Sequence, residues 1–158
     1  MILKIAEKLG LSVYISSQPH GAKLEKEKDL IGKLQDINPD AQKLVIVELP
    51  GLKAEQELKD LGYKIIIIDH HRYDDINRMM DTSSLEQFLA HFNVDDEGLV
   101  NLGFDAKMVQ GVGAIDRGFL WELNKTNLSD DEKKRARSFY RELTMELGGE
   151  RRAGEEEA

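Results

Sequence analysis

Four consecutive isoleucines, Ile65-Ile66-Ile67-Ile68, set between Lys64 and Asp69, constrain this chain more than any other stretch. Successive side chains of a strand point to opposite faces, so this run is apolar on both. Such a strand needs cover on both sides and belongs in a parallel sheet flanked by helices. Upstream, Leu44-Val45-Ile46-Val47-Glu48 reads as a second apolar strand, ended by Pro50-Gly51. Residues 52–61 between them read as a helix with Gly62 at its stop. Strand, helix and strand joined by short turns make a βαβ unit. The predicted class is α/β, an open and mostly parallel sheet flanked by helices.

The rest of the chain fits around that unit. Apolar spacing predicts a helix over 2–9 stopped by Gly10, then an alternating strand over 11–16. Residues 17–21 read as a loop. Residues 23–35 read as a charged helix that offers Leu24, Leu30, Ile31 and Leu34 to the core, and Asn38-Pro39-Asp40 as a turn. Residues 69–81 are polar and read as loop. Ser83 and Glu86 form a capping box for a helix to about Phe92, and Ser129 and Glu132 form another for a helix to about Leu147, stopped by Gly148-Gly149. Residues 94–102 have no clear period. Residues 104–123 have helical spacing interrupted by Gly111, Gly113 and Gly118, which predicts two short helices with a break. Residues 150–158 lack apolar content and read as a disordered acidic tail, leaving one domain over 1–149.

The 22 basic and 30 acidic side chains leave a net charge of −8. That balance argues against a general polyanion binder, because phosphate recognition would have to come from a local site. The absence of cysteine excludes disulfides, thiolate metal sites and Cys nucleophiles. No apolar run is long enough to span a bilayer and no signal peptide is visible, which predicts a cytoplasmic protein.

The chemistry-bearing residues sit where the strands end. Parallel strands finish at the same edge, so Glu48 and Asp69-His70-His71 are expected together at the carboxyl edge where open α/β sheets bind ligands. Alternation predicts that His70 and His71 point apart, one imidazole to a metal and the other to substrate. Asp69 would stand behind them, holding a ring or a loop amide. Carboxylate with imidazole suits Mn²⁺, Zn²⁺ or Fe²⁺ better than Ca²⁺. The plainer alternative is a polar loop leaving a buried strand. Trp121, Phe119 and Phe139, at helical spacings, read as core rather than as a base-stacking platform. His91 reads as a surface or half-buried helix residue, and the basic run Lys133-Lys134-Arg135-Ala136-Arg137 as a solvated face.

The stretch Ile65-Ile66-Ile67-Ile68-Asp69-His70-His71 resembles the signature of the DHH phosphoesterases. That family includes RecJ-type single-strand exonucleases, oligoribonucleases, cyclic dinucleotide phosphodiesterases and family II inorganic pyrophosphatases. Leu44-Val45-Ile46-Val47-Glu48 is similar to its second motif, and Gly111-Val112-Gly113-Ala114-Ile115-Asp116 to its fourth. Ser83-Ser84-Leu85-Glu86-Gln87 falls where its next helix begins, so the resemblance covers about residues 1–123. It implies a DHH-type N-terminal domain with a two-Mn²⁺ centre, Mg²⁺ being an alternative, that hydrolyses phosphodiesters or phosphoanhydrides of nucleotides or short nucleic acid. By this resemblance Glu48, His70 and Asp116 are metal ligands. His71 contacts the substrate phosphate, and Asp69 supports the site. Arg72 and Arg117, each beside a motif residue, are candidates for phosphate contact.

Two departures from the family pattern stand out. Glu48 replaces an Asp, moving the carboxylate outward by about 1.5 Å. The Asp-rich first motif has no counterpart, because residues 1–9 already read as the helix that follows it. His20 and Asp40 are weak stand-ins. Three ligands suffice for one ion rather than two, unless another chain completes the site or sheet. A non-catalytic DHH-like binding module is the second expectation.

Overall fold

The structure is a computed structural model that describes residues 1–18 and 21–146. His20, the Gly148-Gly149 stop and the tail over 150–158 lie outside the described residues. The backbone gathers into two compact units, Ile2–Val94 and a second that starts at Asp95.

The first unit is α/β. It holds α1 (Ile2–Lys8), a 3-10 turn (Leu24–Lys26), α2 (Leu30–Ile37), β1 (Lys43–Val47), α3 (Leu52–Asp60), β2 (Lys64–Ile68) and α4 (Ser84–His91). The two strands pair in parallel, in register from Lys43 opposite Lys64 to Val47 opposite Ile68. They are the strands among the described residues, joined through α3 as the sequence predicts. Gly62 takes φ 95° after α3, a left-handed turn that costs an L residue about 1–2 kcal/mol and glycine almost nothing. Leu24, Ile46, Ala54 and Leu58 form the core beside the sheet, with Leu30, Ile31 and Leu34 of α2 packed on it. Fully burying an aliphatic side chain such as Leu58 stabilises the fold by about 1.5–3 kcal/mol.

Two expectations fail in this unit. Residues 11–16 form no strand. Tyr14, Ser16 and Gln18 all donate to the buried carboxylate of Glu27. The period of two that looked like a half-buried strand is a row of polar side chains reaching one acceptor. The helix expected over 23–35 is divided: a 3-10 turn, then a break at Asp29 (φ 52°), then α2.

The second unit is helical, with α5 (Asp96–Asn101), α6 (Ala106–Lys125) and α7 (Asp130–Glu146). Ala114, Ile115, Leu123, Leu128 and Ala136 pack together in its core. A Cβ on Gly111 would lie 2.4 Å from that of Ala136, so glycine is what lets the two helices close up there. The predicted break falls at Gly118 and Phe119, where φ reaches 54° at Phe119. It turns the helix face, so apolar spacing does not carry across it. Trp121 and Phe119 are 73% and 47% exposed, which corrects their reading as core. Phe139 is half-buried. Among the described residues, no helix is long and apolar enough to cross a membrane.

Candidate metal centre

The site grows from the ends of β1 and β2. The Glu48 amide donates to the Ile68 carbonyl at 3.0 Å, extending the ladder one residue past β1. Glu48 then takes φ 51°, a left-handed conformation that is costly for a side chain with a Cβ. Beside it, the backbone of Asp69 is clasped by Gln87 of α4. Its N–H donates to Gln87 Oε1 at 3.3 Å, and its carbonyl accepts from Gln87 Nε2 at 2.9 Å. A side-chain amide thus does at Asp69 what a neighbouring strand would do.

His70 and His71 do not diverge. Their ring centroids lie 4.2 Å apart with planes tilted by 33°. Alternation holds only inside a strand, and β2 ends at Ile68. His70 Nδ1 lies 3.6 Å from Glu48 Oε1 and His71 Nδ1 lies 3.9 Å from the same oxygen. The side chains of His70, Glu48 and His71 are 9%, 38% and 44% exposed, so the cluster has one walled side and one open side. One ligand atom from each lies within 4.8 Å of the others, a spacing that fits a single cation. Two imidazoles and a carboxylate form a donor set for a borderline divalent metal.

The Nδ1 that faces Glu48 is also the atom by which each ring is held. The capping box predicted at Ser83 and Glu86 forms with both of its bonds. It presents Ser84 to His70, whose Nδ1 takes the Ser84 amide at 3.1 Å and lies 2.9 Å from its hydroxyl. The side chain of Asp69 is fully buried. It accepts the His71 amide at 3.0 Å, contacts His71 Nδ1 at 3.1 Å and accepts the Tyr73 hydroxyl at 3.0 Å. Asp69 thus holds both the ring and the amide of His71. Burial, and next the Asp69 charge, push the Tyr73 phenol well above its ordinary range, so it remains a donor.

Arg72 is exposed on a small hairpin closed by a bridge between Arg72 and Asn77. Asp116 and Arg117 lie on α6 in the second unit, where Arg117 Nε pairs with Glu122 at 3.2 Å. Asp40 is exposed in the predicted turn. His91 is half-buried, with its imidazole lowered by burial and then by Lys43.

Sequence reasoning missed Tyr73, Arg78 and Glu55. Arg78 bonds to Glu55 and faces Asp69 Oδ2 at 3.7 Å. One signal was available: Glu55 lies on the buried stripe of α3 with Ala54 and Leu58, where an acid needs a partner. Compared with known protein families, curated proteins and solved structures, the chain matches none.

Proposed function

We propose that this chain is a metal-dependent phosphoesterase of the DHH type, acting on a phosphodiester or phosphoanhydride bond of a nucleotide or short nucleic acid. The observation that carries the reading is the convergence of Glu48, His70 and His71 at the carboxyl edge of a parallel strand pair. Glu48 and His70 would hold a Mn²⁺ or Mg²⁺ ion. A divalent ion there supplies Lewis acidity and a water of lowered pKa. The chain's own residues orient and bind. Ser84 fixes the His70 ring, and Asp69 fixes His71 so that its exposed edge can meet a phosphate oxygen. Arg72, exposed on the hairpin that follows β2, is the candidate cation for the remaining phosphate charge.

A second reading, a DHH-like module that binds one metal without catalysis, is favoured by the donor count. Three donors gather among the described residues, and one of them is Glu48 where the family uses Asp. Calorimetric titration with Mn²⁺, beside His70→Ala and beside hydrolysis of an activated phosphodiester, separates the two. Metal-dependent turnover lost in His70→Ala supports the enzyme. One site without turnover supports the module. Wild type that binds no Mn²⁺ overturns both.

A further inference from the structure

We propose that Arg78 is a positioning residue that bolts together the two loops carrying the candidate ligands. The role assigned to those ligands rests on the reading above; the coupling itself rests on geometry. Arg78 Nη2 bonds to Glu55 Oε1, and Nη1 lies 3.7 Å from Asp69 Oδ2. Each of these carboxylates holds a backbone amide of one loop. Glu55 Oε1 accepts the Gly51 N–H at 3.1 Å, three residues beyond Glu48. Asp69 Oδ1 accepts the His71 N–H at 3.0 Å. One guanidinium therefore spans from the turn after β1 to the turn after β2.

The hairpin makes this reach possible. Arg78 returns antiparallel to the chain that leaves β2, and its own amide donates to the His71 carbonyl at 3.0 Å. All three charged side chains are largely buried. Two carboxylates share one cation, so removing Arg78 leaves two buried negative charges without a counter-charge. The planar guanidinium hydrogen-bonds Glu55 through Nη2 while its Nη1, which makes no hydrogen bond among the described residues, keeps charge 3.7 Å from Asp69; a lysine ammonium at the end of a flexible stem is a single point charge. The identity of the residue at 78, and not only its charge, sets how Glu48 stands against His70 and His71.

Amide hydrogen exchange on the metal-free protein tests this directly. In Arg78→Lys the amides of Gly51 and His71, on separate loops, should lose protection together by about tenfold or more. The Glu48 amide, bonded to Ile68, should keep its protection and report an intact sheet. Glu55→Gln provides a second route. It retains an acceptor for Gly51 and weakens the hold on Arg78, so His71 should lose protection although residue 55 does not touch it. His71 protection unchanged in both variants, or loss confined to Gly51, overturns the proposal. In a wild type that binds Mn²⁺, Arg78→Lys should lower affinity by about 10–100-fold, and unchanged affinity overturns the positioning role. Wild type without Mn²⁺ binding refutes the metal reading alone, and the exchange result still decides the coupling.

Discussion

Glu48 offers a direct measure of how far the backbone is bent to build the cluster. Its left-handed φ of 51° costs a residue with a Cβ about 1–2 kcal/mol. Glycine escapes that cost but loses about 0.5–1 kcal/mol through the extra freedom of its unfolded chain. Glu48→Gly and Glu48→Ala both delete the carboxylate, so its interactions cancel between them. The difference isolates the backbone. At mid-range values the glycine variant should be the more stable by about 0.75 kcal/mol, or about 1.5–3 °C in Tm for a chain of this size. Urea unfolding followed by circular dichroism reads the free energy, and Mn²⁺ titration of the same samples reads the site. Both variants should lose Mn²⁺ affinity by at least about tenfold. An alanine variant as stable as the glycine variant would refute the strain argument. Wild-type Mn²⁺ affinity in either would remove Glu48 from the ligand set.

Other expectations follow from the same geometry. His70→Ala should abolish Mn²⁺ binding with the circular dichroism spectrum unchanged; retained affinity sinks the assignment. Glu48→Asp shortens the ligand arm and suits a left-handed backbone better, because Asp tolerates that region. It should raise phosphodiester turnover, and no gain with normal metal binding would place the limit elsewhere. The Tyr73 phenol is raised by burial and by Asp69, so the folded state keeps this proton longer than the unfolded chain does. Its stabilisation is complete below the unfolded value of about 10 and is lost as pH rises through the folded one. The tyrosinate absorbance difference between wild type and Tyr73→Phe should stay flat past that pH, and an ordinary midpoint would refute the contact with Asp69. At Glu27 burial opposes ionisation, but Ser16, Tyr14, Gln18 and Lys33 outweigh it and hold the carboxyl below the ordinary 4.5. That stabilisation is present above the unfolded value and is lost as pH falls through the folded one. Glu27→Gln should cost about 1–3 kcal/mol and expose residues 11–18 to protease at neutral pH. Resistance equal to wild type would show that the clamp is unnecessary.

The βαβ unit was legible because its signals are local and agree. The isoleucine run and the Gly62 stop, and beyond the unit the Ser83–Glu86 capping box of α4, each specify backbone within a few residues. The meeting of Glu48 with His70 followed from strand direction alone. What could not be read was long-range or conformational. Tyr14, Ser16 and Gln18 imitate strand alternation because an acceptor 9–13 residues away takes all three. The pairing of His70 with His71 depends on where β2 ends, a boundary that periodicity does not fix. Arg78 reaches Glu55 across 23 positions, and polar composition made its segment look like plain loop. Only the acid on the buried stripe of α3 hinted that a cation had to arrive.

The break in α6 has a practical result for anyone who follows this protein by light. The chain has a single tryptophan, and the break leaves it at the surface with Lys125 5.4 Å from the centre of its ring. An indole already in water has little solvation left to gain when the chain unfolds. Its emission colour should therefore stay nearly constant through a urea transition that dichroism records in full. The same fluorophore becomes a sensitive reporter of covering: any body that settles over Trp121 should shift its emission to the blue and shield it from a soluble quencher.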